Sequence, residues 1–206
     1  MRIAYVTHRY GAEIRGGAEQ AVRLLAEHVA AARPWTVEVF TTGARDGIDW
    51  EDQYPAGTTE VGGVPIHRFH SDAGRAPGFA ALSEVVLPRP EHTPLAEQQR
   101  WIDMQGPVAP AVLDAAAAFA PDVAVFCPYL YWPTVRGVPR FSDRAVVHPA
   151  AHDEGPFRLP AIRPVFTAAR GLAYFSDAER RLVESRFPVG ATAAAVIGLG
   201  VDTGSG

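Results

Sequence analysis

The adjacent glycines Gly16 and Gly17 carry the clearest chemical signal in the sequence. They stand between a strand-like run over residues 2–7 and a helix predicted over residues 18–32. Glycine at a helix start lets the backbone approach a bound group, and the free N–H groups of the first turn attract an anion. The pattern predicts a site for phosphate or a phosphate-bearing sugar, with Gly16 at positive φ. A flexible turn that serves only the helix start is the alternative.

A polar loop over residues 147–156 follows another predicted strand and contains His148, His152, Asp153 and Glu154. Three interpretations stay open. The His-x3-His spacing is typical of metal sites on helices, although the prolines favour a loop. A histidine there could bond the backbone. It could also bond a substrate hydroxyl or stabilise developing charge.

Aromatic residues follow the strand predicted over residues 123–126. Tyr129 and Tyr131, with Trp132, could stack on a sugar ring beside a polar cleft, or pack against the neighbouring helix. Cys127 is predicted to be a small buried apolar residue.

The composition excludes several functions. The net charge of −4 and the pI near 6.0 predict no nucleic-acid partner. Every basic side chain is arginine, so no lysine can form a Schiff base or a phosphate-loop contact. A single cysteine excludes an internal disulfide and a cysteine zinc cluster.

The amino terminus enters a strand directly, which predicts no signal peptide. Apolar runs fall short of the roughly 18 residues that a membrane span needs. We therefore expect a cytoplasmic protein, with peripheral membrane contact left open.

Strand-like and helical runs alternate, which predicts an α/β fold with a doubly wound, mostly parallel sheet flanked by helices. Ligands of such sheets bind beyond the carboxyl ends of the strands. A dinucleotide site is not expected, because G-x-G-x-x-G does not follow the first strand and the second strand ends in threonine. The predicted elements are strands 2–7, 36–42, 123–126, 144–148, 172–175 and 193–197, a hairpin over 58–70, and helices 18–32, 91–105, 108–119, 129–137, 163–170 and 178–186.

In the same order along the chain, the sequence resembles the N-terminal, acceptor-side domain of GT-B glycosyltransferases of the retaining family 4 (group 1) type. The segments that carry the resemblance are RIAYVTHRYGAEIRGGAEQAVRLLAEHVA, VGGVPIHRF, RWIDMQGPVAP, AVVHPAAHDEGP, AYFSDAERRLVESRF and VIGLGVD. The resemblance implies a Rossmann-like half of a GT-B fold. It also implies hexosyl transfer from a nucleotide-sugar to a glycan, lipid-linked or small-molecule acceptor, with retention and with no cofactor or metal.

The resemblance also implies roles for particular residues. Gly16 and Gly17 would face the donor diphosphate and the acceptor. His152 would be the active-site histidine near the transferred sugar, with Asp153 beside it. Glu19 would contact substrate, with capping of the helix start as its alternative.

We expect one domain over residues 1–202, followed by a tail or cloning remnant over residues 203–206. The family's second domain, which grips the donor with a basic pair and an E-x7-E motif, is missing from this sequence, so we expect the chain alone to be inactive. Two alternatives stay open: a non-catalytic carbohydrate- or nucleotide-binding module, and an α/β enzyme that acts alone on a phosphorylated small molecule.

Overall fold

A computed structural model of the chain describes residues 1–200, and the predicted domain end at residue 202 and the tail over residues 203–206 lie outside them. The strands are β1 (Arg2–Thr7), β2 (Thr36–Thr42), β3 (Gly57–Val61), β4 (Val64–Phe69), β5 (Val123–Cys127), β6 (Ala145–Val147), β7 (Gly171–Tyr174) and β8 (Ala193–Val196). The helices are α1 (Gly17–Ala32), α2 (Phe79–Val86), α3 (Leu95–Gln105), α4 (Pro110–Ala118), α5 (Trp132–Arg140), α6 (Arg163–Thr167) and α7 (Asp177–Arg186).

The strands form one sheet in the order β3-β4-β2-β1-β5-β6-β7-β8. All neighbours are parallel except β3 and β4, which pair antiparallel as a hairpin. Gly62 and Gly63 turn this hairpin with φ angles of 59° and 77°, and the absence of a Cβ makes these values accessible. The predicted doubly wound α/β fold is confirmed.

The central strands of the sheet are buried on both faces, as parallel strands require, whereas the edge strands β3 and β8 are exposed. In β1, Ile3 and Tyr5 point to one apolar cluster while Ala4 and Val6 point to the other. Helix α1 covers the first face, and α4 and α5 lie against the same central strands on the second. This arrangement leaves the carboxyl ends of β1, β5, β6 and β7 side by side.

Several element boundaries differ from the prediction. Helix α5 begins at Trp132 rather than near residue 129, because Pro133 suits a first turn and residues 128–131 form a loop. The segment that the sequence left unassigned, residues 71–89, contains α2, which starts after Gly78 at φ 83°.

The sequence predicts one buried face on helix α1, formed by Ala21, Leu24, Leu25, His28 and Val29, and of these Leu25 and Val29 pack against the sheet. Val22 and Ala26 are the fully buried positions against the sheet. Ala21, Leu24 and His28 instead line a shallow apolar hollow with residues 197–200. Apolar residues cover more than one face of α1, so periodicity alone could not tell which stripe meets the sheet.

The longest helix of residues 1–200 has 16 residues, and none of the helices there has the length and apolarity to cross a membrane.

Candidate functional site

A cleft of about 700 Å³ opens at the carboxyl ends of β1, β5, β6 and β7. The segments that follow β1, β5, β6 and β7 all contribute residues to its lining, as the parallel topology predicts. The loop after β2 lies beside them, where the Arg45 carbonyl accepts a hydrogen bond from Arg9 at 3.3 Å. The cleft is lined by Gly17, Ala18, Glu19, Pro128, Tyr129, Leu130, Tyr131, Ala150, Ala151, His152, Asp153, Glu154, Phe175, Ser176, Ala178, Glu179, Leu182 and Leu199.

The two glycines occupy different environments. Gly17 is the first residue of α1 and lines the cleft, and a Cβ built on it meets no other described atom within 4 Å. Gly16 precedes the helix with φ −71°, so the prediction of a positive φ there is wrong. A Cβ on Gly16 would collide with the carboxylate of Glu19. Gly16 therefore leaves room for this carboxylate, whereas Gly17 leaves open space toward the cleft.

Glu19 is the centre of a nearly buried polar cluster. Its Oε1 accepts hydrogen bonds from Arg9 Nε at 2.7 Å and from His8 Nε2 at 3.1 Å. Burial lowers the pKa of His8, so a neutral imidazole donates the Nε2 proton. Burial also favours the neutral form of Glu19, but the hydrogen bond from His8 and the charge of Arg9 outweigh it and lower the Glu19 pKa to about 2.

The low pKa of Glu19 links the cluster to stability in acid. The carboxylate stabilises the fold fully above its ordinary pKa of 4.5, and this contribution is lost as the pH falls from there toward 2. We expect Glu19→Gln to lower the free energy of unfolding at pH 7 by about 2–3 kcal/mol and to flatten its decline in acid. Urea unfolding between pH 3 and pH 7 measures both effects. Glu97→Gln, in an exposed pair with Arg100 at 3.7 Å, is the control and should change little. Equal acid dependence in the wild type and Glu19→Gln would contradict the prediction.

The two tyrosines differ in what they expose. Tyr129 is only 1% exposed; its ring lies among core aromatics and its hydroxyl donates to Glu154 at 2.8 Å. This burial leaves it no free ring face for a sugar. Tyr131 is half-buried at the cleft, with its ring centroid 4.0 Å from that of His8 and 5.0 Å from that of Trp50. Tyr131 is thus the better placed of the two for a sugar contact.

The two histidines of the 147–156 loop differ in burial and in hydrogen bonding. His148 is buried, and its Nδ1 donates to the Ala173 carbonyl at 3.0 Å. Burial lowers the pKa of His148 to about 4, so it is neutral and serves the structure. His152 is exposed at the cleft, and its imidazole makes no hydrogen bond to any residue from 1 to 200. Its ring is free to meet a ligand.

Asp153 and Glu154 complete this wall of the cleft. Asp153 pairs with Arg158 at 2.6 Å in an exposed ion pair, so its carboxylate is already engaged. Among residues 1–200 no three His, Cys, Asp or Glu side chains are grouped to hold a metal ion.

Glu179 fixes the loop that carries His152. Its two carboxylate oxygens accept hydrogen bonds from the backbone N–H of Ala151 at 2.8 Å and of Phe175 at 2.6 Å. Ser176 caps the start of α7, where its hydroxyl oxygen accepts a hydrogen bond from the N–H of Glu179 at 3.1 Å. Burial raises the pKa of Glu179, and the two N–H donors oppose that rise. The side chain joins the loop after β6 to the turn after β7.

Glu179→Ala would leave the N–H groups of Ala151 and Phe175 without their acceptor. We expect the free energy of unfolding to fall by about 2–4 kcal/mol, because each unpaired buried donor costs about 1–3 kcal/mol. Glu184→Ala on the same helix, which breaks an exposed pair with Arg180, should cost less than about 0.5 kcal/mol. Urea unfolding of the two variants makes the comparison, and similar losses would show that Glu179 does not anchor the loop.

Comparison with known proteins supports the fold. A solved structure of sucrose-phosphate synthase from Thermosynechococcus elongatus superimposes with a TM-score of 0.58 over 98% of this chain and 91% of that chain, at 15% identity. The chain has the Rossmann-like fold of a GT-B domain. No family model matches the sequence, and no curated protein matches it either. At this identity the GT-B likeness concerns the fold and not the substrate.

Sequence reasoning missed three residues that the structure brings to the GT-B cleft or beside it. His8 and Arg9 directly follow β1, and their adjacency to a strand end was the available signal. Glu179 was not among the candidate site residues, although Ser176-x-x-Glu179 is a capping-box pattern. Most of the predicted site residues line one cleft, namely Gly17, Glu19, Tyr129, Tyr131, His152 and Asp153. Gly16 does not line it and instead packs against the carboxylate of Glu19.

Proposed function

We propose that the chain is the acceptor-side domain of a retaining glycosyltransferase, which moves a sugar from a nucleotide-sugar to a glycan, lipid-linked or small-molecule acceptor. The observation that carries the proposal is the cleft itself. It joins the start of α1 at Gly17, the half-buried ring of Tyr131 and the unbonded imidazole of His152 in one space of about 700 Å³. The GT-B fold supports the class of reaction.

Each part of the cleft suits a step of this reaction. The first N–H groups of α1 carry partial positive charge, so they can stabilise the diphosphate leaving group close to Gly17. The imidazole of His152, which has no hydrogen-bond partner among the described residues, can bond a sugar hydroxyl and stabilise charge that develops near the anomeric carbon. Tyr131 offers an aromatic surface and a hydroxyl to a sugar ring.

The donor would be bound chiefly by a second domain that faces this cleft, so the proposal predicts no transfer by the 206 residues alone. The test is a transfer assay with a panel of nucleotide-sugars, on this chain and on a polypeptide that also carries a donor-binding domain. Retained anomeric configuration in the product of the longer protein is the expected result. Turnover by the chain alone would favour an independent α/β enzyme, and ligand binding without transfer by either protein would favour a binding module.

A further inference from the structure

The guanidinium of Arg75 lies beside the cleft and has no carboxylate partner among residues 1–200. Arg75 is half-buried, and within residues 1–200 its side chain makes no hydrogen bond and no ion pair. Its Nε is enclosed and has no hydrogen-bond partner among residues 1–200. A partly desolvated cation that retains unused donors is costly unless a ligand supplies the acceptor.

The backbone around Arg75 is held firmly by two other segments. The Arg75 N–H donates to the Asp49 carbonyl at 2.9 Å, and the Ala76 N–H donates to the Met104 carbonyl at 2.9 Å. Gly74 has no room for a side chain, because a Cβ there would collide with the Asp49 carbonyl. Three segments distant in sequence therefore fix the position from which the guanidinium extends.

Two aromatic rings flank the guanidinium. Its carbon lies 5.3 Å from the ring centroid of Trp50 and 5.1 Å from that of Phe79. Trp50 is itself buried, with its Nε1 donating to the Gln105 carbonyl at 2.6 Å and an uncommon φ of 67°. For a residue that is not glycine, this conformation costs on the order of 1–2 kcal/mol. The fold thus maintains a strained residue as the platform for Arg75.

The ring of Trp50 lies between Arg75 and the cleft. Trp50 lies 5.0 Å from Tyr131, centroid to centroid, and Tyr131 lines the cleft. Burial raises the pKa of the Tyr131 hydroxyl, and the positive charges of Arg9 and Arg75 act against that rise. Arg9 forms an ion pair with Glu19, so Arg75 is the one of these two cations that can still pair with an anionic ligand.

Cation–π contact does not account for Arg75 by itself. Aromatic rings interact with the face of a guanidinium, whereas its N–H groups lie in the plane and remain unused. These in-plane donors match the two oxygens of a phosphate or a carboxylate. We propose, resting on the proposed function, that Arg75 binds an anionic group, phosphate or carboxylate, on the acceptor substrate. Asp72, the nearest acid along the chain, forms no ion pair with Arg75 within residues 1–200, and the Oδ1 of Asp49 already accepts from the N–H of Glu51.

Calorimetric titration of the 206-residue chain tests this site without any donor, so its outcome is independent of transfer. The probes are glucose, glucose 6-phosphate, glucuronate and inorganic phosphate. We expect at least one charged sugar to bind about tenfold more tightly than glucose, with an advantage that shrinks in salt. Arg75→Gln should abolish the advantage, and Arg75→Lys, which keeps charge without the planar fork, should retain part of it.

Arg33→Gln is the matched control, because Arg33 also lies over a tryptophan ring, at 5.8 Å from Trp35, but away from the cleft. It should keep the preference of the wild type. The proposal is overturned if Arg75→Gln, still folded by its melting curve, binds the probes like the wild type. It is also overturned if no charged sugar binds better than glucose, or if inorganic phosphate binds as tightly as glucose 6-phosphate.

Discussion

His152→Ala should lower kcat for sugar transfer about 100-fold in a polypeptide that joins this chain to a donor-binding domain, if the proposed function is correct. The imidazole faces the cleft without a partner among the described residues, so its loss removes a contact that only substrate or transition state supplies. Because no bond within the fold is broken, Tm should change by less than about 2 °C. Initial-rate kinetics and a thermal melt measure the two quantities on the same preparation.

His148→Ala is the matched control for His152→Ala, since both histidines belong to the same loop. His148 is buried, bonds the Ala173 carbonyl and stacks on Phe175, with ring centroids 5.5 Å apart. Its truncation should destabilise the fold by about 2–3 kcal/mol. An unchanged kcat in His152→Ala, or unfolding of that variant, would contradict the role proposed for His152.

Gly17→Val should abolish transfer or raise KM for donor or acceptor by at least about tenfold, while leaving Tm nearly unchanged. The space beside Gly17 is empty in the fold, so valine meets no described atom there. The same branch would project at the start of α1, where the proposed function places the diphosphate against the backbone. Kinetics with the donor and acceptor varied separately would show which substrate is obstructed.

The neighbouring substitution Gly16→Val is the control, because it disturbs packing within the fold rather than the approach of a ligand to α1. Its side chain would displace the carboxylate of Glu19 from Arg9 and His8, so the fold should lose about 1–3 kcal/mol. If Gly17→Val keeps wild-type kinetics, the glycine pair serves only the turn into α1. Equal loss of stability in the two variants would have the same meaning.

The fold could be predicted from the sequence because the patterns that indicate strands, turns and helices are local. The strand predicted over residues 2–7, the hairpin predicted over residues 58–70 and the helix predicted over residues 178–186 each depend on a few neighbouring residues, and all three appear in the structure. The convergence of the strand-end loops followed from parallel topology alone. These regularities are enough to locate a cleft, although they do not assign the side chains within it.

What the sequence could not indicate depends on contacts between distant segments. The exposure of His152 and the burial of His148 depend on packing against β7, and the two residues look alike in a list of polar loop residues. Tyr129 and Tyr131 likewise differ only in which side of the loop meets the core. Nor could the sequence show that Asp49 and Met104 hold the backbone around Arg75, or that its guanidinium forms no ion pair within the part of the chain that the structure describes.

The bridging role of Glu179 has a consequence for motion in the native state. A single carboxylate accepts from the amides of Ala151 and Phe175, so neither amide can be released to water independently while both bonds hold. The two amides should therefore exchange their hydrogens through one shared opening, with matched protection factors, although they belong to different loops. The wall that presents His152 would then loosen together with the turn before α7, as one cooperative unit.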